Sequence, residues 1–397
     1  MREDFEIIKR RAQAAWLGKQ SSYATRVVVG MGGCGVAMGA NAVKAALERE
    51  IQRRGVNAVV EKTGCIGMCH HEVLVDIVKP GKPRITYGHV TAAKVPALVE
   101  ECVVGDNINK EMAIAVVGDK PVDGLPCYAD LPFFKHQQRI VMRNCGVIDP
   151  DSIDDYIANG GYSAFVKALF EMKPEQVIEE VKTSNLLGRG GAAFPAGMKW
   201  EQCRRASGYP KYVLCNAEEG EPAIFKDRRL LEADPHAVIE GMLIAAFAVG
   251  SDRGYIYIGG EHLLAIERTE HALQEAMEYG LLGNNILGSE MSLKLTIRKG
   301  AGSYACGESS AQMSSIEGRR AMPRVKLVRS VERGLWMKPT SMNNVESYAN
   351  IPQIIENGGA WYANIGTEEG KGTKIFTLSG NILNTGVVEV PVGTTLR

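Results

Sequence analysis

QVIEEVKTSNLLGRGGAAFPAGMKW, residues 176–200, decides how the larger part of this chain is read. Gly188, Gly190 and Gly191 let backbone N–H groups approach an anion closely, and Lys199 adds a fixed positive charge, so the run has the makings of a phosphate cradle. QVIEEVKTSNLL in front of it reads as a helix. The usual dinucleotide fingerprint follows a strand, so an ordinary Rossmann domain is disfavoured and a different nucleotide fold is expected. A flexible surface loop is the plain alternative, for which Phe194, Pro195 and Trp200 are poor choices.

Around this run the pattern is α/β, with helices expected near 174–185, 236–249 and 262–279, strands at YVLCNA, YIYIGG and LKLTIRKG, and a mixed core. CNAEEGEPAIFKDRR follows the first strand and crowds Glu218, Glu219 and Glu221 into one turn, which costs repulsion unless they point apart to hydroxyls, amides or cations. Ribityl and ribose hydroxyls would satisfy them; a solvated acidic loop is the alternative. KGAGSYACGESS again sets small residues after a strand, with Tyr304 and Glu308 as its polar groups, and in SMNNVES Asn343 and Asn344 bind phosphate or cap a helix. From Lys374 the chain alternates like short strands with turns at Ser379-Gly380 and Asn384-Thr385-Gly386.

Upstream lies a smaller unit: strand RVVVG, a helix to about Arg54, strand NAVVEKT, strands LVDIVKP and RITYG joined at Pro80-Gly81, and a helix from Thr91 to about Val103. This order suits a thioredoxin-like domain. CIGMC places Cys65 and Cys69 in a thiolate-pair loop after a strand, where Gly64 and Gly67 let the backbone wrap an inorganic core. Cys34, in GMGGCGVAMGA, sits in the equivalent turn, so the three sulfurs converge on a metal site. Zinc is the rival, completed by His70 or His71; exposed loop positions are preferred for both histidines. Residues 105–145, rich in Gly and Pro, read as a connector.

The 397 residues suffice for two or three cores. Lysine plus arginine equals aspartate plus glutamate at 46 each, so no global field favours nucleic acid or an anionic membrane. A charged N-terminus and a longest apolar stretch of only Gly241–Gly250 point to a cytoplasmic protein with no membrane insertion. In a reducing compartment the nine cysteines are not a disulfide framework. Cys127, Cys145, Cys203, Cys215 and Cys306 lack ligand spacing and read as core.

From about Asn144 onward the chain resembles the flavoprotein subunit of respiratory complex I and its relatives in multimeric hydrogenases and formate dehydrogenases. GRGGAAFPAGMKW, NAEEGEPAIFKDR, DPHAVIEGM, YIYIGGEH, GLLGNNILG, GAGSYACGES, EGRRAMPR and KPTSMNNVES fall in the family order. The first hundred residues resemble the thioredoxin-like [2Fe–2S] domain fused ahead of the flavin domain in hydrogenase-type members. The resemblance implies a [2Fe–2S] domain at 1–105, a connector at 106–145, an FMN- and NAD(P)H-binding domain at 146–345, and a connector with the beginning of a β-grasp domain at 346–397. It implies an NAD(P)H-dependent oxidoreductase subunit that exchanges hydride with FMN and single electrons with clusters. The alternative is an electron-transfer or scaffold flavoprotein that has lost the dinucleotide reaction. Partners would be a small [2Fe–2S] subunit and a cluster-rich subunit carrying a hydrogenase- or formate-dehydrogenase-like module.

Residue by residue, the resemblance puts FMN on Gly188, Gly190, Gly191, Lys199, Asn216, Glu218, Gly307, Glu308, Asn343 and Asn344. The dinucleotide would meet Phe194, Glu221 and Tyr304, and the cluster Cys34, Cys65 and Cys69; the protein needs no acid or base of its own for hydride transfer to flavin. Two departures stand out. Met38 stands where a second cysteine is expected after Cys34, leaving the fourth ligand to a serine, a histidine or a distant cysteine such as Cys102, or the cluster is absent. The family's [4Fe–4S] motif lies beyond Arg397, in an expected missing C-terminal part. Finally, NADH-using relatives carry a second carboxylate where this chain has Ser309, and an apolar segment where it has KLVRSV with Lys326 and Arg329. That reverses the local sign, and NADPH is expected to be tolerated.

Overall fold

In the computed structural model, which describes residues 2–325 and 327–396, RVVVG forms β1 (Thr25–Gly30) within a five-stranded sheet. Its Val27 and Val29 are fully buried, as branched side chains on a pleated face should be. β2 (Ala58–Thr63) pairs parallel with β1, and β3 (Val75–Val78), β4 (Arg84–Tyr87) and β5 (Ala113–Val117) continue the sheet on the other side through antiparallel pairings. Helix Ala40–Arg54 crosses between β1 and β2, burying Val43, Leu47 and Ile51, and ends at Gly55 in the left-handed conformation.

Two expectations are corrected here. The connector 106–145 is not wholly irregular, because AIAVV near its start is an apolar β-branched run that completes the small sheet as β5. Helix Arg2–Gln20 does not belong to the small domain's core. Its stripe Phe5, Ile8, Ala12 and Trp16 recurs every three or four residues and packs into the larger core, against helix Ile153–Ala158. Lys19 Nζ meets Asp155 Oδ1 at 2.6 Å on the same seam.

The larger unit is built on β6 (Tyr212–Ala217), β7 (Arg253–Gly259), β8 (Lys294–Gly300) and β9 (Thr340–Asn344), in the order β8-β7-β6-β9. All three pairings are parallel, so the expected mixed core is mixed only in combining helices with strands. Central strand β6 is apolar along nearly its whole length because helices cover a parallel sheet. Helix Pro235–Val249 is almost completely buried, starts with the Asp234 carboxylate accepting from Ala237 N, and packs on helix Val345–Asn357. β10 (Thr373–Leu378) and β11 (Gly386–Pro391) form an antiparallel hairpin. It is pinned by the Glu389 carboxylate, which accepts the backbone N–H groups of Ile140, Val141 and Met142. Among the described residues, no helix is long and apolar enough to cross a membrane.

Candidate functional site

The C-terminal ends of the parallel strands converge on one rim, which is where open α/β sheets take ligands. Asn216 at the end of β6 stands opposite Asn344 at the end of β9. The glycine loop leaves helix Pro174–Thr183 and closes on itself through Gly188 N donating to Phe194 O at 3.0 Å, just before helix Ala196–Arg205 begins. Arg189 anchors the loop from behind: its N–H donates to Ser347 Oγ, and its guanidinium to Tyr362 Oη at 3.1 Å and to Lys371 O at 2.5 Å. At Gly190 a Cβ would come within 3.0 Å of the Asn344 Cβ. Gly191 has φ +112°, a region that side-chain-bearing residues rarely adopt, and a Cβ there would meet only open space. Gly307 is equally open, and its carbonyl accepts from Asn216 Nδ2 at 2.9 Å.

Polar groups on this rim have distinct states. Asn216 Oδ1 accepts from Gln312 Nε2 at 2.8 Å. The Glu218 carboxylate is 7% exposed, yet among the described residues neither of its oxygens has a hydrogen-bond partner. Burial, reinforced by Glu261 and Glu221, pushes its pKa up to about 7. Lys199 donates to Met342 O at 2.7 Å and lies 5.9 Å from the Phe194 ring centre; burial pulls its ammonium down to about 8. Phe194 and Tyr304 are exposed at the mouth, and Tyr304 packs beside Gly220.

Other nominated residues take roles that the sequence left open. Glu219 does not face a ligand, since its carboxylate accepts from Asp227 N and Arg228 N at the start of helix Lys226–Ala233. Asn344 takes the capping role, accepting from Glu346 N at 3.0 Å, and donates to Asp227 Oδ2 at 2.6 Å. Asn343 accepts from the Trp200 indole at 3.4 Å. Glu308 caps helix Ser309–Ile316 through Ser310 N and Ala311 N, while Ser309 Oγ donates to Glu308 Oε1 at 3.0 Å. Glu221 lies exposed in the turn after β6. Arg329 donates to Gln202 on helix Ala196–Arg205, and Lys326 lies outside the described residues. Sequence reasoning missed Lys226, which pairs with Asp227 at 2.6 Å and Glu346 at 2.9 Å under the loop.

The rim fits a flavin mononucleotide. An unpartnered buried carboxylate awaits polar hydrogens, and two glycines leave the space that a side chain would fill.

The second constellation closes at the edge of the small sheet. Cys34 Sγ lies 3.3 Å from Cys69 Sγ, and Cys65 Sγ accepts from Gly67 N at 3.3 Å. Gly67 is obligatory, because φ is +99° and a Cβ would sit 2.2 Å from Val387 O on the hairpin. Helix Lys226–Ala233 supplies the opposite wall: Arg229 donates to Cys34 Sγ at 2.6 Å and to Glu232 at 2.6 Å, and Glu232 accepts from Gly33 N at 2.8 Å. The hydrogen bond from Cys69, helped by Arg229, brings Cys34 down to about 7 and also lowers Cys65, while the same contacts raise Cys69. Thiolate character with a compensating buried cation fits a sulfur-held iron cluster.

Candidates for the rest of that set are sorted by position. Met38 is exposed. Cys102 is buried in the small core beside Tyr87. His70, half-buried rather than fully exposed, binds Thr385 O through Nδ1 at 2.8 Å, and His71 Nδ1 lies 3.2 Å from His89 Nε2. Among the described residues, no three His, Cys, Asp or Glu side chains surround one point as a mononuclear metal would require. The other five cysteines are buried in the cores.

Residues 181–353 match the family described as the Nuo51 FMN-binding domain. Over 263 residues the chain is 50% identical to the NADP-reducing hydrogenase subunit HndC of Solidesulfovibrio fructosivorans, covering 66% of this chain and 53% of that one. It is 47% identical over 258 residues to an NADH-quinone oxidoreductase subunit of Rhizobium meliloti, covering 65% and 61%. Among solved structures, an NAD+-reducing [NiFe]-hydrogenase in the H2-reduced state matches with a TM-score of 0.56 at 25% identity, over 98% of this chain and 62% of that one. The chain therefore spans between 53% and 61% of the length of these two curated relatives.

Proposed function

We propose that this chain, which matches the Nuo51 FMN-binding domain over residues 181–353, is the NAD(P)H-oxidising subunit of a larger cytoplasmic redox complex. FMN, when bound, accepts the hydride and parts with its electrons singly to iron–sulfur clusters. The chain's own task is placement. Gly188, Gly190 and Gly191 admit the cofactor's polar end, with Lys199 supplying positive charge behind the loop. Glu218, poised near neutrality and unpartnered, is the group that meets the cofactor's polar hydrogens. Phe194 and Tyr304 are the aromatic surfaces at the mouth on which a dinucleotide stacks, beside Glu221. Cys34, Cys65 and Cys69 hold a [2Fe–2S] cluster, and residues 373–391 begin a β-grasp domain. The partners are further cluster-bearing subunits.

The observation that carries this reading is the unpartnered Glu218 carboxylate beside the open glycines of the rim. Ser309 and Arg329 make the dinucleotide side less negative, so NADPH is accepted alongside NADH. Stopped-flow bleaching of the FMN-loaded protein with each nucleotide, for wild type and Ser309→Glu, tests both points. Bleaching by either nucleotide supports the dehydrogenase reading; a yellow protein inert to both is the scaffold alternative. A native preference for NADH that Ser309→Glu leaves unchanged overturns the sign argument.

A further inference from the structure

Two irons bridged by two sulfides need four protein ligands, and the cysteine loops provide three. Glu72 follows the turn Cys69–His71 and is 4% exposed. A buried carboxylate is ordinarily paired with a cation or bound to a metal. Here Oε2 accepts from its neighbour Leu74 N at 3.2 Å, and Oε1 lies 3.9 Å from Cys65 Sγ. Among the described residues, no lysine or arginine forms an ion pair with it; the nearby Arg229 is spent on Cys34 and Glu232.

The direction in which the carboxylate points is set by the turn that carries Cys34. A Cβ on Gly35 would lie 3.0 Å from Glu72 Oε2, and one on Gly30, at the end of β1, would lie 3.7 Å from the same oxygen. These two glycines leave a hollow beside the thiols, and the carboxylate fills it. Of the candidates named from sequence for this place, Cys102 is sealed in the small core, His70 is held by Thr385 O and His71 faces His89, while the position after Cys34 where a cysteine was expected is the exposed Met38.

We propose that Glu72 is the fourth protein ligand of the cluster, so that one iron is held by two thiolates and the other by a thiolate and a carboxylate. The inference rests on the cluster reading above. Carboxylate is a harder, less electron-donating ligand than thiolate, so the two ferric ions become inequivalent and the potential rises relative to an all-cysteine cluster.

The test uses the full chain enriched in 57Fe. Wild type is expected to hold about two irons per chain and to give two quadrupole doublets of equal area in the oxidised Mössbauer spectrum. Glu72→Cys is expected to merge the doublets and lower the reduction potential, and Cys102→Ser to change neither. Wild type and Glu72→Cys with superimposable spectra, or a shift on Cys102→Ser instead, overturns the assignment. Should Glu72→Cys not fold, the wild-type spectrum alone decides, a single doublet counting against Glu72. Iron and sulfide content, measured also for Cys65→Ser, separates the two levels. Wild type without iron, or Cys65→Ser with full iron, sinks the cluster reading itself, whereas a cluster lost with Cys65 but indifferent to position 72 sinks only the carboxylate ligand.

Discussion

The thiol edge and the glycine rim are both loops at the ends of strands, yet they are made of opposite materials. At the thiol edge the chemistry lies in side chains already touching one another: sulfurs, a guanidinium and carboxylates packed between the small sheet and helix Lys226–Ala233. At the rim it lies largely in backbone and space, and among the described residues the Glu218 carboxylate there has no hydrogen-bond partner. A soft inorganic core is held by a few strong donors whose charge must be balanced on the spot. A flavin is held by many weak contacts over a large face, so the protein supplies shape. Helix Lys226–Ala233 joins the two, with Lys226 and Asp227 beneath the rim and Arg229 and Glu232 against the thiols.

If the rim works by backbone approach, Gly191→Val should cause the largest change. Its left-handed φ costs a branched residue about 1–3 kcal/mol, and the added methyls intrude where the cofactor lies. Flavin occupancy after reconstitution should fall roughly tenfold or more, while the iron content of the small domain stays constant. Full occupancy in that variant would mean that the cradle is elsewhere.

If the thiol edge works by local charge balance, Arg229→Gln should act in the other direction, on the cluster and not on the flavin. Removing a buried charge-assisted hydrogen bond disfavours the more negative reduced state. Taking that bond at about 1.5–3 kcal/mol, the potential should drop by roughly 60–130 mV. Redox titration followed by paramagnetic resonance measures it, and an unshifted potential would show that Arg229 serves only to dock the domains.

The smallest effect concerns Glu218 and sharpens the contrast through pH. Burial raises its pKa in the folded protein from the ordinary 4.5 to about 7. The flavin-free fold therefore binds the proton more tightly than the unfolded chain, so this contribution to stability is complete below pH 4.5 and is lost as pH rises to 7. Glu218→Gln should flatten that part of the flavin-free stability profile, measured by denaturant titration at several pH values. An unchanged slope would assign the pH dependence to other groups.

Much of both sites was legible in the sequence, for different reasons. Cys34, Cys65 and Cys69 stand out by residue type and by the glycines around them, and Cys34 and Cys69 lie 3.3 Å apart. GRGGAAFPAGMKW stands out because small residues in series have few other uses. By contrast, Glu219 and Glu218 are neighbours with the same chemistry in the same motif. One caps a helix and the other faces the rim, a difference made by which N–H groups the next helix presents. Asn344 likewise read as phosphate ligand or cap, and its Oδ1 accepts from Glu346 N at the start of the helix.

What the sequence determined alone was whatever depends on spacing along the chain: most of the strands and helices, the glycine-rich turns, the thiol pair and the family order of motifs. What only the tertiary structure decided was everything that crosses between segments. Helix Arg2–Gln20 belongs to the distant core, β5 closes the small sheet, Arg229 reaches Cys34 across 195 positions, and the Glu72 carboxylate turns into the hollow left by Gly30 and Gly35. The physical reason is that periodicity and turn chemistry act over a few residues, whereas the partner of a buried charge is set by the packing of elements far apart in sequence, where desolvation leaves few places for it to go.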